Sequence, residues 1–300
     1  MEQTMRAVQR MQDYIDAHLG EAITLRQLAR AAGYSPWHAT RLFKEVTGRT
    51  PFEYIRALRL SRAALILRDG GDPVIDAALS FVFDSQEGFT RAFTRQFGLP
   101  PNRYRAERPP IPLFLPESVL KPYLALHKKG GERMTQVPCK TLFVQPMERP
   151  ARKLLLKRGR GAKEYFAYCE EVGCDIWGVL CSVQEALYEP VGLWLPDHLI
   201  APGTSQYVQG VELPLDYDKP IPEGFELIEL PPCRMLVFQG EPYDDDDFAD
   251  QVRLVMDQID RFNPEPYGYR FDPEAAPRFQ LAPMGYRGYI EARPVRAIEG

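Results

Sequence analysis

Hydrophobic positions recur at helical spacing from the first residue to about residue 108. Short glycine-containing stretches, such as those at Gly33, Gly48 and Gly98, interrupt the pattern. Apolar residues three and four apart line one face of a helix, and glycine commonly ends a helix. This part of the chain is therefore predicted to be an all-α unit of about seven helices.

Beyond residue 108 the pattern changes. The segment PPIPLFLPES, residues 109–118, contains four prolines, and proline cannot continue a helix because it lacks the N–H group. Further on, β-type runs such as LFVQP and VGLWLP alternate with helical stretches at 162–172 and 248–263. We predict an all-α domain, a linker and an α+β domain over residues 1–108, 109–133 and 134–300.

The order of predicted elements in the α+β part occurs twice. A strand, a helix and further strands follow one another in about 134–219 and again in about 223–297. Repeated order of this kind indicates an internal duplication, even though the two halves share little sequence identity.

Charge divides the chain in the same place. Residues 1–108 hold 16 Lys and Arg against 12 Asp and Glu, whereas the remainder holds 21 against 29. Lys and Arg replace the counterions condensed on DNA. The basic first domain therefore suits phosphate contacts, although charge alone does not establish them.

The composition also bears on compartment and metal chemistry. No apolar run reaches the roughly 18 residues of a membrane span, and the acidic, helical start lacks a signal-peptide core. We expect a cytoplasmic protein without membrane contact. The five cysteines form no CxxC pair and the four histidines are scattered, so we expect reduced thiols, no metal site and no cofactor. The run DDDD at 244–247 is more typical of a solvated helix entrance than of a metal site.

Residues 24–48, TLRQLARAAGYSPWHATRLFKEVTG, have the pattern of a helix-turn-helix. Gly33 permits the turn, and Ser35 is a suitable N-cap for the second helix. Such a second helix reads base edges in the major groove, where an arginine can hold guanine O6 and N7. Its outward side chains are predicted to be Trp37, Thr40, Arg41 and Lys44. An alternative for Trp37 is a structural aromatic packed under the turn.

The pattern recurs about fifty residues later. In VIDAALSFVFDSQEGFTRAFTRQFG, Ser85 is the N-cap of a second outward-facing helix. The apolar side of its first helix would carry Ile75, Ala78 and Leu79. The outward residues of its second helix are Gln86, Glu87, Thr90 and Arg91. Between the two units, FEYIRALRLSRAALIL predicts a rigid connecting helix with solvated charges at Arg56, Arg59 and Arg62.

These segments resemble the DNA-binding domain of the AraC/XylS family, and within it the Rob subgroup. The likeness rests on GYSPWHATRLFKEVTG, YIRALRLSRAA, FDSQEGFTRAFTRQFG and PPNRYR, and it covers residues 1–108. It implies a bacterial transcription regulator, more often an activator, whose partners are double-stranded DNA and RNA polymerase. It also implies base reading by Trp37, Thr40 and Arg41, and by Gln86, Glu87 and Arg91. Gln is more usual in the family at positions 40 and 87, so the preferred DNA sequence should differ.

The remainder resembles the GyrI-like small-molecule-binding domain, through segments such as YFAYCEEVGCDIWGVL, EPVGLWLP and GYIEARPV. The resemblance implies two β-α-β-β halves around an aromatic groove with an acid at its floor, in the place of Glu291. Aromatic walls and a carboxylate favour a hydrophobic or cationic effector. Candidate walls are Phe166, Trp177, Trp194, Tyr207, Phe238 and Tyr269. Each aromatic could instead be plain core, and Glu291 could point to solvent from an edge strand.

Three functions remain in competition at this point. The first, which we favour, is an effector-responsive regulator without enzymatic activity. The second is a hydrolase that uses Glu291 as general base, although a G-x-S-x-G nucleophile motif is absent. The third is a DNA-binding protein whose C-terminal domain only docks other proteins.

Overall fold

The computed structural model divides the chain into two compact units. One spans Met1–His127 and the other spans Lys128–Gly300. The division lies inside the predicted linker, residues 109–133. The structure describes residues 1–70, 74, 76, 80–83, 85–116, 118–122, 141–173 and 175–298.

The first unit is helical, as predicted. Apolar faces of its first four helices form a core that includes Val8, Met11, Leu28 and Phe43. Within the described ranges no helix is long and apolar enough to cross a bilayer. The predicted core residues Ile75, Ala78 and Leu79 lie outside the described residues. The described helices are α1 (Glu2–Ala17), α2 (Leu25–Ala32), α3 (Pro36–Thr47), α4 (Pro51–Asp69), α5 (Gln86–Phe97) and α6 (Pro101–Glu107).

Local sequence signals determine the first helix-turn-helix. Thr24 and Gln27 form a capping box, in which the Gln27 N–H donates to Thr24 Oγ1 at 3.3 Å and Thr24 N–H donates to Gln27 Oε1 at 2.7 Å. Gly33 ends α2 at a φ of +75°, a conformation that strains other residues. Ser35 then caps α3 by accepting from the His38 N–H at 3.4 Å. The turn is thus held at both helix ends.

The connecting helix α4 departs from its prediction at one arginine. Arg56 and Arg62 are exposed as expected, but Arg59 donates hydrogen bonds to Leu19 O at 3.0 Å and to Glu21 O. Burial lowers the pKa of this guanidinium. The prediction of a solvated Arg59 is wrong, because its side chain reaches backbone carbonyls in the turn after α1.

The chain after α6 lies against the helical unit. We call residues 109–122, apart from residue 117, the anchor segment. Ile111, Leu113 and Leu120 are buried in it. The ring of Phe114 meets the ring of Tyr54 edge-on, with centroids 5.0 Å apart. The prolines of this segment therefore exclude a long helix but do not make it solvent-exposed.

Polar side chains from two helices hold the anchor segment. The Phe114 N–H donates to the fully buried Ser61 hydroxyl of α4 at 2.7 Å. Ser118 Oγ donates to Gln9 Oε1 of α1 at 2.6 Å, and the Val119 N–H donates to Gln12 Oε1 at 3.2 Å. The segment thereby joins α1 to α4.

The second unit combines helices with an antiparallel sheet, which confirms the predicted α+β class. Its elements are β1 (Phe143–Arg149), β2 (Arg152–Arg158), α7 (Tyr165–Val172), α8 (Ile176–Ser182), β3 (Val191–Trp194), β4 (Tyr207–Leu213), β5 (Glu226–Leu230), β6 (Cys233–Gln239), α9 (Phe248–Asp260), β7 (Tyr269–Phe271), β8 (Arg278–Leu281) and β9 (Ile290–Ala297). The predicted helical stretches at 162–172 and 248–263 correspond to α7 and α9, whereas the sequence pattern does not single out β2, β5 or β7.

The order of the strands reveals two similar halves. The described strands run β1-β6-β9-β8-β3-β4-β2-β5, with β7 paired to β9. In one half, β2 is followed by two helices and by β3 and β4; in the other, β6 is followed by α9 and by β8 and β9. The halves meet where β3 pairs with β8, which we call the seam. This arrangement agrees with the predicted duplication.

Strand alternation decides which side chains face the helices at the seam. Leu193 and Phe279 belong to the apolar core on the face away from the helices. Since neighbouring residues in a strand point to opposite faces, the helix-facing residues of the seam are Gly192, Trp194, Arg278 and Gln280. The centre of this face is therefore largely polar.

The opposite face of the sheet contains a buried ion cluster. Glu212 lies 2.6 Å from Arg152 and 3.0 Å from Arg149, and all three side chains are at most 6% exposed. The guanidinium of Arg149 also lies 3.6 Å from the ring centroid of Tyr188. Two arginines thus share one buried carboxylate.

Candidate functional site

Helices α3 and α5 are two copies of the same local design. Each is capped by a serine, Ser35 or Ser85, and each ends at a glycine, Gly48 or Gly98, with φ of +74° and +77°. Ser85 accepts a hydrogen bond from the Gly88 N–H at 3.1 Å. The predicted caps of both outward-facing helices are therefore present.

The side chains predicted to read DNA lie on the solvent side of these helices. Trp37 is 71% exposed, so the alternative of an aromatic packed under the turn is wrong. Thr40 and Thr90 are half-buried at equivalent places, and Arg41 and Arg91 are exposed at equivalent places. The other exposed members are Lys44, Gln86 and Glu87.

Arg41 is held only loosely before any partner binds. Its Nε lies 2.8 Å from Glu45 Oε1, and the two side chains are 60% and 53% exposed. The carboxylate raises the pKa of Arg41, so the guanidinium stays charged. Exposed ion pairs contribute little to stability, because water and salt screen their charges. Exchanging Glu45 for a base edge is therefore energetically feasible.

In the second unit, Glu291 lies at the centre of the sheet and not on an edge strand. Its strand β9 pairs with β6 on one side and with β8 on the other, and the residue is 0% exposed. The alternative that Glu291 points to solvent is therefore wrong. Its side chain faces the helices, together with its register partner Phe238.

Glu291 is already bound by neighbouring groups. Its Oε1 accepts from Arg293 Nε at 2.7 Å, and its Oε2 accepts from the Tyr289 hydroxyl at 2.8 Å. Burial, and then the adjacent carboxylate, raise the pKa of Tyr289 well above its usual value, so the phenol keeps its proton. Arg278 Nη1 lies 3.8 Å from Glu291 Oε1.

Two of the predicted wall residues contact each other, and one of them contacts Arg278. The rings of Trp194 and Tyr207 are 5.0 Å apart in an edge-on contact, and the guanidinium of Arg278 lies 4.0 Å from the Trp194 ring centroid. Trp194 Nε1 donates to Lys163 O at 2.9 Å. Tyr207 is buried, whereas Trp194 is half-buried.

The remaining predicted aromatics are spread over the unit. Phe238 is fully buried and contacts Phe262 at 5.1 Å. Phe166 and Trp177 are half-buried on α7 and α8. Tyr269 lies opposite Ala297, six residues along β9 from Glu291, or roughly 20 Å at strand spacing. The structure does not bring Tyr269 to Glu291.

Sequence reasoning missed the residues that surround Glu291. Arg278 and Gln280 alternate on β8, and Tyr289 and Arg293 alternate with Glu291 around β9. A period of two in RFQL and YIEAR places such residues on one face. The sequence therefore indicates which residues share a face of a strand, but it does not indicate that β8 pairs with β9.

The acidic run at 244–247 lies at the entrance of α9. Asp244 accepts a hydrogen bond from the Asp246 N–H at 3.0 Å, and these residues are exposed. In the portion of the chain that the structure describes, no group of His, Cys, Asp and Glu is arranged to hold a metal ion.

Comparison with known proteins finds relatives of the first unit. A family model described as a helix-turn-helix domain matches residues 28–107. The transcriptional regulator Rob of Salmonella typhimurium is 44% identical over 108 residues, which are 33% of this chain and 37% of that protein. The match thus spans little more than a third of that relative.

Two shorter relatives are matched over most of their length. The transposon Tn10 TetD protein of Escherichia coli is 42% identical over 95 residues, covering 32% of this chain and 69% of TetD. The multiple antibiotic resistance protein MarA of Salmonella typhimurium is 34% identical over 93 residues, covering 31% of this chain and 73% of MarA. By these matches, the chain belongs to the AraC-type family of helix-turn-helix DNA-binding regulators.

Proposed function

We propose that this protein is a bacterial transcription regulator that binds double-stranded DNA through both α3 and α5. The observation that carries the proposal is the matched pair of serine-capped helices with exposed Arg41 and Arg91 at equivalent positions. Recognition helices of this kind enter successive major grooves about 34 Å apart. One copy of the chain then suffices for a site with two half-elements.

The test compares Arg41→Ala with a matched control. Arg103 on α6 is 64% exposed and pairs with Glu107 four residues away, as Arg41 does with Glu45, but it lies outside the recognition helices. After selection of a preferred duplex from random DNA, Arg41→Ala should lose about 1–3 kcal/mol on that duplex. Arg103→Ala should change affinity by less than about twofold on any DNA.

Two results would contradict this proposal. An equal loss on random DNA would make Arg41 a phosphate contact instead of a base contact. A footprint formed only by an obligate dimer would contradict the use of both helices of one chain on one site. The loss of affinity is read from gel-shift titrations at fixed salt. The footprint is read with the stoichiometry of the complex measured in parallel.

We further propose that a small-molecule effector binds the second unit at the helix-facing side of the seam and controls DNA binding. Support comes from the half-buried Trp194 beside polar groups that converge on Glu291. The expected response is activation through RNA polymerase. It is tested by a promoter fusion in which the effector raises transcription; a fall in transcription would make the protein a repressor.

We propose no enzymatic role for this unit. Glu291 is buried and bound by Arg293 and Tyr289, whereas a general base needs a free lone pair within reach of the substrate proton. A pure docking module, the third possibility, would show no thermal shift or change of DNA affinity with any small molecule.

A further inference from the structure

The seam already holds a cation of its own. The guanidinium of Arg278 lies over the Trp194 ring at 4.0 Å and 3.8 Å from Glu291. An aromatic face with a nearby carboxylate is the arrangement that would otherwise attract a cationic ligand. In this chain an arginine side chain occupies that position.

The negative charge of Glu291 is already balanced. Arg293 donates to it at 2.7 Å and is in turn paired with Asp260. Arg278 adds a second positive charge beside the same carboxylate. Around the seam, Glu291 and Asp260 thus face Arg278 and Arg293. A cationic ligand here would find no uncompensated negative charge, because both carboxylates are already paired with arginines.

The hydrogen-bonding capacity of Arg278 is only partly used. Its side chain is 30% exposed, its Nε is buried, and this nitrogen has no hydrogen-bond partner among the described residues. A guanidinium carries five N–H donors in a planar fork. Its one ion pair within the described ranges is the 3.8 Å contact with Glu291, which is longer than a direct hydrogen bond.

We propose that the effector is an organic anion, a carboxylate on an apolar body, whose carboxylate binds the fork of Arg278. A guanidinium and a carboxylate form two parallel hydrogen bonds, and Trp194 offers an apolar edge beside them. The inference rests on the proposed effector function of this unit. It replaces the cation preference expected from Glu291 alone, since that expectation treated the carboxylate as unpaired.

The experiment titrates the full-length protein with three probes of one shape. Naphthoate is the anion, naphthylmethylammonium the cation and naphthamide the neutral analogue, and calorimetry measures each affinity. For the wild type, naphthoate should bind about tenfold or more tightly than naphthamide, as expected for a charge-assisted pair. Naphthylmethylammonium should bind most weakly.

Variants test whether Arg278 itself, and not the overall charge of the unit, binds the anion. Arg278→Gln should weaken naphthoate about tenfold or more and leave naphthamide within about threefold. The control is Arg270→Gln, since Arg270 is 57% exposed and paired with Glu265 in the same unit; it should change neither affinity. Glu291→Gln should strengthen naphthoate binding, because it removes the competing carboxylate. Arg278→Lys retains the charge without the fork and should give an intermediate affinity, which guards against misfolding of the Gln variant.

The outcomes distinguish the two proposals. Tightest binding of naphthylmethylammonium to the wild type, together with a change in DNA affinity, would overturn the anion proposal and leave the effector function standing. Unchanged naphthoate affinity in Arg278→Gln would also overturn it. If none of the three probes binds the wild type, both the effector site and its charge preference are wrong.

Discussion

Replacing Ser61 by Ala tests whether the anchor segment is a structural part of the DNA-binding unit. The Ser61 hydroxyl is fully buried; it donates to Ala57 O at 3.0 Å and accepts from the Phe114 N–H at 2.7 Å. Removing the oxygen leaves Ala57 O with a hydrogen bond from Gln96 Nε2 at 3.1 Å. The Phe114 N–H loses its partner.

The magnitude follows mainly from the Phe114 N–H, since Gln96 Nε2 also loses a 3.4 Å contact with Ser61 Oγ but keeps its bond to Ala57 O. A buried N–H without a partner costs about 1–3 kcal/mol. Phe114 is half-buried, so water can reach part of its surroundings, and we expect about 1–2 kcal/mol. The lost oxygen leaves too little space to add a large cavity cost.

Two measurements check this expectation. Urea unfolding followed by helical circular dichroism should show the loss of stability, and hydrogen exchange should become faster at the Phe114 amide. The control is Ser80→Ala, because the Ser80 hydroxyl is exposed and donates to Asp76 O at 2.8 Å; it should change stability by less than about 0.5 kcal/mol. Wild-type stability and unchanged exchange at Phe114 in Ser61→Ala would refute the reasoning.

Two further predictions concern buried polar groups. Glu212→Gln leaves Arg149 and Arg152 buried without a full counter-charge and should cost about 3–5 kcal/mol, whereas Glu226→Gln, at a carboxylate that is 51% exposed in its ion pair, should cost about 0–1 kcal/mol; equal effects in urea unfolding would contradict this difference. Burial raises the pKa of Tyr104 from 10.0 to about 12, so its contribution to stability is complete below pH 10.0 and is lost as the pH rises towards about 12. Tyr104→Phe should therefore reduce the loss of stability in alkaline melts while changing neutral stability little, since the buried hydroxyl has no hydrogen-bond partner in the described part of the chain; a loss above about 2 kcal/mol at neutral pH would contradict this.

The parts of the fold that could be predicted from the sequence depend on residues that lie close together in the chain. The caps at Ser35 and Ser85 act on residues three positions away, so spacing alone identifies them. The exposure of Arg41 and Arg91 follows from the same helical period.

The parts that escaped prediction are contacts between distant segments. Arg59 was expected in solvent but bonds to carbonyls about forty residues earlier, and Phe114 contacts Ser61 across a similar distance in sequence. At the seam, alternation could indicate which residues share a face. Only the pairing of β8 with β3 and β9 brings Arg278 between Trp194 and Glu291. The local spacing of residues does not predict which strands pair.

The anchor segment extends the DNA-binding unit beyond the end of α6. Because Ser61 of α4 and Gln9 of α1 bind Phe114 and Ser118, the unit extends at least to residue 122 and does not end with α6. A gene fragment cut after residue 108 would therefore remove a structural component of this unit. An exchange of domains between relatives would preserve it only if the crossover lay beyond the anchor segment.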